Sequence, residues 1–556
     1  MQDVLKHDPT KPSGKKDKQV KKRELEAKHN FYSIKANNGA LQRIIIKKGR
    51  IVDKILDLHF YRYDIDAESF RYVRISQNKI EEVNEEIITD AFFRFVKSLE
   101  PLNHLIIKNP ESGEKQKAIK ITPEMIRLEL MEKVGEYFST KLFNRLTPDF
   151  KIKIKSDSRS GKFLYFRNGF VIISKDGYEF MNYKSLDQNI WKNKILDRDF
   201  KLNGLKGDFE LFFQRICGHK TAGPVSDKTR RRILALKTIT GYLLHGYYNY
   251  KLKALILTDC RISEDDEPNG RTGKTLYAKA LGKILNYDDK CRAFIEINGK
   301  NFRYDDKHRY SGCSLETQLI NINDVRRNTF IETWFNDITE GIMVDKKNEK
   351  PFPIHAKLIL STNRTIKVEG ESALDRIIQF EFSDYYDSNR SPESETGRWF
   401  FSQDWDAKEW NKFDTFLISC CVDYFRHGVI EAETINLKRR TLIDHTSCEF
   451  VDFMDDFFAT GSVPVSVQAD GQKMIFSLKL RFDKKIDKND FYQAFTGAYP
   501  SDWNTKNLKQ RRLTKWLRNY SKYRNDLELI SKSKGTEGRS NGIDWIMFKK
   551  IEQKTE

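Results

Sequence analysis

Lys253-Ala254-Leu255-Ile256-Leu257-Thr258-Asp259, then Glu267-Pro268-Asn269-Gly270-Arg271-Thr272-Gly273-Lys274-Thr275, then LYAKALGKIL (276–285): this stretch decides the fold. A buried-strand pattern leads into a glycine loop, and the loop into a helical pattern. Gly270 and Gly273 let backbone N–H groups approach phosphates. The helix N-terminus adds the positive end of its dipole. Lys274 is placed to reach the β- and γ-phosphates of ATP, and the Thr275 hydroxyl to ligate Mg²⁺. Pro268 stands where the general phosphate-loop pattern has glycine, and proline can hold a tight turn there. Residues 268–275 are therefore the expected nucleotide-binding segment.

Three further elements follow in order. Leu319-Ile320-Asn321-Ile322-Asn323-Asp324-Val325 reads as a second strand ending in an acid. Asp324 is placed to orient the attacking water or hold the Mg²⁺ hydration shell. Asn323 stands where a second acid is expected, and an amide brings no charge. Ala356-Lys357-Leu358-Ile359-Leu360-Ser361-Thr362-Asn363 reads as a third strand, with Asn363 a candidate for positioning water against the γ-phosphate. Arg376, before the strand IIQFEF (377–382), is a candidate arginine finger. Between the second and third elements, residues 338–351 read as a strand, a turn carrying Lys346 and Lys347, and a return strand. Such a hairpin suits the backbone of single-stranded DNA.

These elements resemble superfamily 3 helicases, and more closely the poxvirus/phage-type primase-helicase family. PNGRTGKT, ININDV, the ITEG segment with its lysine turn, KLILSTN and the Arg376 segment carry the resemblance. GYLLHGYY (241–248) and NIWKNKILDRDF (189–200) add to it. It implies an AAA+-like P-loop NTPase core and a ring, usually a hexamer, with ATP bound between subunits. It assigns phosphate binding to Lys274 and Thr275, the Mg²⁺ motif to Asp324, the sensor to Asn363, DNA contact to Lys346 or Lys347, and the finger to Arg376. Asn323 departs from the usual acid pair, and Asp375 stands where a second basic residue is common.

The remainder of the 556 residues is read around that core, which makes the chain a multidomain α/β protein. Residues 1–30 are a lysine-rich polar tail. Residues 31–205 form an α+β region, a collar, DNA-binding module or vestigial primase. In it residues 39–64 and 69–76 read as strands, and 81–99 and 122–146 as helices, the second with Thr122 as N-cap and Pro123 at its first position. A hairpin is expected across Asn168-Gly169. The compact acidic pair Asp64-Ile65-Asp66 is the one candidate for a primase metal site. Residues 206–440 form the ATPase domain with two leading helices. Residues 441–556 suggest a winged-helix-like domain: a basic helix bearing Arg511, Arg512 and Lys515, then strands LELI and GIDWIMFKK around a wing.

Composition agrees with a polyanionic partner. Lys and Arg total 99 against 80 Asp and Glu, a net charge of +19, and neutralising phosphates releases counterions. The cysteines at 217, 260, 291, 313, 420, 421 and 448 form no C-x-x-C pair, which argues against a disulfide framework or structural zinc. No signal-peptide core or membrane-length apolar run is present, so a cytoplasmic location in a bacterial or phage-infected cell is expected. The expected activity is an ATP-dependent replicative DNA helicase. The alternative is an initiator or loader that uses ATP as a switch, which the single acid of ININDV keeps open.

Overall fold

The computed structural model describes residues 25–37, 40–65, 69–106, 117–221, 223–248, 252–261, 271–285, 292–326, 329–363, 366, 368, 371–469, 472–504, 506–524, 526–531, 539–540 and 543–551. Pro268, Asn269, Gly270 and Asp66 lie outside these residues.

The N-terminal region runs β1 (Tyr32–Asn37), β2 (Ala40–Ile46), α1 (Lys48–Asp57), β3 (Phe60–Asp64), β4 (Phe70–Ser76), β5 (Lys79–Val83), α2 (Glu85–Lys97), β6 (Leu102–Ile106), β7 (Lys117–Ile121) and α3 (Pro123–Glu132). Residues 48–57, expected as strand, are helical because Ile51 and Ile55 bury one face at i,i+4 spacing. The Thr122 hydroxyl accepts from Met125 N–H, with Pro123 in the first turn, so that N-terminus forms as expected. The helix then stops at Lys133, and two single turns, 134–137 and 140–143, replace its second half. The fold of 25–146 closes around Phe31, Ile55, Ile88, Phe92, Ile126 and Phe143.

Next come β8 (Lys162–Phe166), β9 (Gly169–Ser174), β10 (Gly177–Met181), β11 (Ile190–Trp191) and β12 (Ile195–Leu196). The β8–β9 turn comprises Arg167 and Asn168, because Gly169 already pairs with Phe166. A Cβ at Gly169 would collide with the Met181 carbonyl and the Phe180 ring, so close strand packing requires this glycine. Leu164, Phe166, Val171 and Leu196 share one core with the helices that follow. The sheet β10-β9-β8-β12, grouped by sequence with the N-terminal region, therefore packs on the central segment, residues 206–440, while β11 pairs with β5.

That segment contains α4 (Asp208–Ile216), α5 (Asp227–Leu244), β13 (Ala254–Asp259), α6 (Lys274–Ile284), β14 (Phe294–Asn298), β15 (Leu319–Asn323), β16 (Ile342–Val344), β17 (Phe352–Ile354), β18 (Lys357–Ser361), β19 (Ile377–Phe382), α7 (Ala407–His427) and α8 (Leu437–His445). Five strands form one sheet in the order β14-β15-β18-β13-β19, every pairing parallel. Both faces of β13 and β18 are buried, as their unbroken apolar runs require. The order is not sequential: β18 lies between β13 and β15, and β19 on the far side of β13. Residues 338–340, expected as strand, end the short helix Phe335–Thr339, and the β16–β17 hairpin begins only at Ile342.

The last region comprises α9 (Cys448–Thr460), β20 (Ser462–Ala469), β21 (Gln472–Lys479), β22 (Ile486–Asp487), α10 (Lys488–Ala498), α11 (Gln510–Arg524), β23 (Leu527–Ser531) and β24 (Ile543–Lys550). Its four-stranded sheet has the order β22-β24-β23, with the short strand Arg539–Ser540 also pairing with β24. Phe450, Phe495, Leu513, Trp516, Leu517 and Phe548 fill its core. No described helix is long and apolar enough to cross a membrane.

Candidate nucleotide site at the carboxyl ends of the sheet

Open parallel sheets bind ligands outside the carboxyl ends of their strands, where the strand order switches. Here that edge gathers Asp259 at the end of β13, Asn323 and Asp324 at the end of β15, and Ser361 to Asn363 at the end of β18. Facing them is the first turn of α6, whose N–H groups lack helical partners.

Gly273 caps α6 with φ +100°, a conformation that favours glycine. A Cβ there would also fall 2.6 Å from Phe212 Cε2. Lys274 is the first residue of the helix and is 8% exposed. Its Nζ lies 2.5 Å from Asp259 Oδ2 and 2.5 Å from Asn363 Oδ1. The Thr272 hydroxyl donates to the other Asp259 oxygen. Burial pulls the Lys274 ammonium below its ordinary value, and the Asp259 carboxylate opposes that shift. Thr275 is exposed beside it.

Asp324 adopts φ +58° and leaves its carboxylate 44% exposed, 3.4 Å from Lys300 Nζ. The turn depends on Gly299, whose N–H donates to Asn323 O at 2.5 Å. A Cβ on Gly299 would sit 2.7 Å from that oxygen. The Asn323 amide oxygen accepts from the Ser361 hydroxyl at 2.8 Å, so this side chain stitches β15 to β18.

Arg376 is not in this group. Its carbonyl accepts from Ala254 N–H at 2.9 Å, which puts it at the opposite end of β13, about 17 Å from Asp259 by strand rise. Its guanidinium stacks 4.8 Å over Phe335 and bonds Ser372 O at 2.6 Å. Lys346 and Lys347 fall in the β16–β17 turn. Lys347 is exposed, while Lys346 is half-buried 5.7 Å over the Phe352 ring. The N-terminal region holds the same turn: Arg71 stacks 4.5 Å over Phe352 and pairs with Glu349 at 3.3 Å. Ser69 Oγ donates to Pro351 O at 3.2 Å. Arg511, Arg512 and Lys515 are exposed on α11, with Arg512 packed over Trp503 and Trp516. Asp64 is paired with Arg62 at 2.6 Å.

Asp259 is the site residue that sequence reasoning missed. It was visible as the last letter of the first strand. Its partners Thr272 and Lys274 come after a long intervening loop, and no local pattern joins them.

A donor set of one ammonium, hydroxyls and free helical amides fits a triphosphate. Among the described residues no cluster of three or more His, Cys, Asp or Glu is present. Mg²⁺ does not need one, since one or two carboxylates plus phosphate oxygens and waters complete its shell.

No family model matches the chain, and no curated protein matches it. Among solved structures, the apo A form of the NrS-1 C-terminal region aligns with a TM-score of 0.36 at 11% identity, covering 89% of this chain and 98% of that one. A second structure described as the same region and form aligns at 0.37 and 12%, with the same coverage.

Proposed function

We propose that this chain is an ATP-dependent replicative DNA helicase of a phage or mobile element, working as a ring, with a hexamer as the expected assembly. The observation that carries the reading is the convergence of Lys274, Asp259, Asn363 and Asp324 at the carboxyl ends of adjacent parallel strands, with Lys274 opening a helix behind a left-handed glycine. In this reading ATP lies against the amides of residues 271–275. Lys274 leaves Asp259 for the β- and γ-phosphates, Thr275 and Asp324 hold Mg²⁺, and Asn363 orients the attacking water. The sheet order, with the Asn363 strand inserted between the Lys274 and Asp324 strands, supports an AAA+-like core. Arg376 is too far from its own Lys274 to act there, so it serves the site of a neighbouring subunit.

The order α9, β22, α10, α11, β23, β24, with β24 central in its sheet, supports a winged-helix-like domain. Its basic helix α11 would meet duplex DNA through Arg511, Arg512 and Lys515. Lys346 and Lys347 would meet a single strand in the pore.

A second reading, an initiator or loader that uses ATP only as a switch, is favoured by Asn323, whose neutral amide bonds Ser361 where a second carboxylate would assist hydrolysis. A DNA-stimulated ATPase assay separates the two. Turnover abolished by Lys274→Ala supports the motor, binding without turnover supports the switch, and absence of nucleotide binding removes both.

A further inference from the structure

A cleft of about 340 Å³ lies at the amino edge of the parallel sheet. Three other strands meet the sheet there: β3 through Tyr63, β11 through Trp191 and β8 through Phe163. Glu316 lines the cleft from the segment that leads into β15. Asp324 follows the opposite end of that strand, so roughly 16 Å of β15 separates the two edges at ~3.3 Å per residue. The cleft is therefore distinct from the site around Lys274.

Glu316 is 6% exposed. Asn193 Nδ2 donates to one of its oxygens. The other, Oε2, is buried with no hydrogen-bond partner among the described residues. The Tyr165 hydroxyl, also in the lining, is likewise buried and without one. A carboxylate only accepts, and a buried acceptor left unsatisfied is costly, so Glu316 calls for a donor on a ligand. The charged lining is Lys155, Lys162 and Lys194 against Asp157 and Glu316. Asp157 is already saturated: it accepts from Phe163 N–H at 2.9 Å and Gly246 N–H at 2.6 Å, and pairs with Lys162 at 3.4 Å. Lys155 pairs at 3.0 Å with Asp187, whose side chain is 64% exposed, and so wet a pair yields readily to a stronger anion. Three cations against two anions disfavour a bare ammonium ligand. They fit a neutral donor that carries an anionic tail.

We propose that this cleft binds a free guanine nucleotide, with the base on Glu316 and between the aromatic walls, and the phosphate toward the lysines. Guanine sets N1–H beside its 2-amino group, two adjacent donors for one carboxylate. Adenine, cytosine and uracil each put an acceptor next to their donor. Guanine O6 also gives the Tyr165 hydroxyl an acceptor. Aromatic walls with a hydrogen-bonded base edge are a common way to hold a single base, and the volume suits one small ligand. Bound there, the nucleotide bridges β3 and β11 of the N-terminal sheet to the start of β15. The site stands whether or not residues 271–275 hold ATP.

The test is calorimetry on the full chain with guanosine 5′-monophosphate. It should bind about ten-fold or more tighter than adenosine monophosphate, because the wrong base edge leaves Glu316 unpaired. Inosine monophosphate, which lacks the 2-amino group, should fall between them. This ladder needs no variant. Glu316→Gln should weaken the guanine ligand about ten-fold or more and abolish its preference over adenine, while Lys274→Ala should leave its affinity within about two-fold. Hydrogen exchange should show protection at 190–194 and 315–318 on binding, which serves if E316Q does not fold. Equal affinity for the guanine and adenine ligands, or no binding of either, overturns the proposal. So does binding that K274A abolishes, which would place the ligand in the phosphate loop. A thymine oligonucleotide carrying one guanine should not displace the mononucleotide, and displacement overturns the free-nucleotide source.

Discussion

Lys274 and Asp259 form a buried ion pair, 2.5 Å apart, with side chains 8% and 2% exposed. The lysine expected to grip phosphate is neutralised by its own strand. An incoming triphosphate must replace that partner, and the released Asp259 keeps its bond to Thr272. Removing one member of a buried pair strands the other and costs about 3–5 kcal/mol. Asp259→Asn should therefore lower the melting temperature without nucleotide and enlarge the upward shift that ATP produces. Differential scanning fluorimetry with and without Mg-ATP reads both, and an unchanged ATP shift would refute the exchange.

Asn323 offers a gain of function. Asn323→Asp would place a second carboxylate beside Asp324 while keeping an oxygen for the Ser361 hydroxyl. Phosphate release should rise several-fold and saturate at lower Mg²⁺. Asp324→Asn should cut turnover by roughly a hundred-fold or more, in line with loss of a group that stabilises developing charge. A steady-state Mg²⁺ titration of both variants is the measurement.

Arg376 sits at the far end of β13 from Lys274, and that distance makes its role testable by mixing. Arg376→Ala and Lys274→Ala should each be inactive, the first by about 10³-fold or more. Mixed in equal amounts they should regain turnover, because some interfaces then pair an intact Lys274 with an intact Arg376. A mixture no more active than its components would mean that the finger does not act across subunits.

Lys357 opens β18 in a fully buried setting, donating to Tyr242 O at 2.7 Å and also to His245 O. Burial pushes its ammonium down to about 7, and burial pushes His245 down to about 4. Both folded values lie below the unfolded ones, so the unfolded chain binds more protons in each window and stability rises with pH. The His245 contribution is gained between about pH 4 and 6.5, the Lys357 contribution between about 7 and 10.5. Each changes stability by about 1 kcal/mol per pH unit within its window. Lys357→Met should flatten the rise in denaturation midpoint between pH 7 and 9 and, because the Lys357 charge is one of the causes that lower His245, also reduce the rise on the acid side.

How much of this was legible beforehand depends on the range of the interaction. Strand ends carrying Asp324 and Asn363, the cap at Thr122 and the helix after Gly273 follow from local patterns, and each forms where expected. Residues 48–57 read as strand in the sequence because Ile44 to Ile46, Ile51-Val52 and Ile55-Leu56 are apolar runs too short to separate period 2 from period 3.6. The helix expected over 122–146 breaks because Phe138, Leu142 and Phe143 turn into the core from single turns, a packing choice that a helical apolar pattern does not reveal. The pairings of Asp259 with Lys274 and of Glu316 with Asn193 are tertiary, and no spacing in the chain encodes them.

The lysine turn between β16 and β17 is fastened to β4 by Arg71, Ser69, Glu349 and Pro351. If a polymer pulls on Lys347, the load travels along those contacts into the N-terminal region as well as back to the parallel sheet. A version that begins beyond Arg71, and so lacks both Ser69 and Arg71, would lose this anchor: it would keep its nucleotide site, yet its grip would slip under tension.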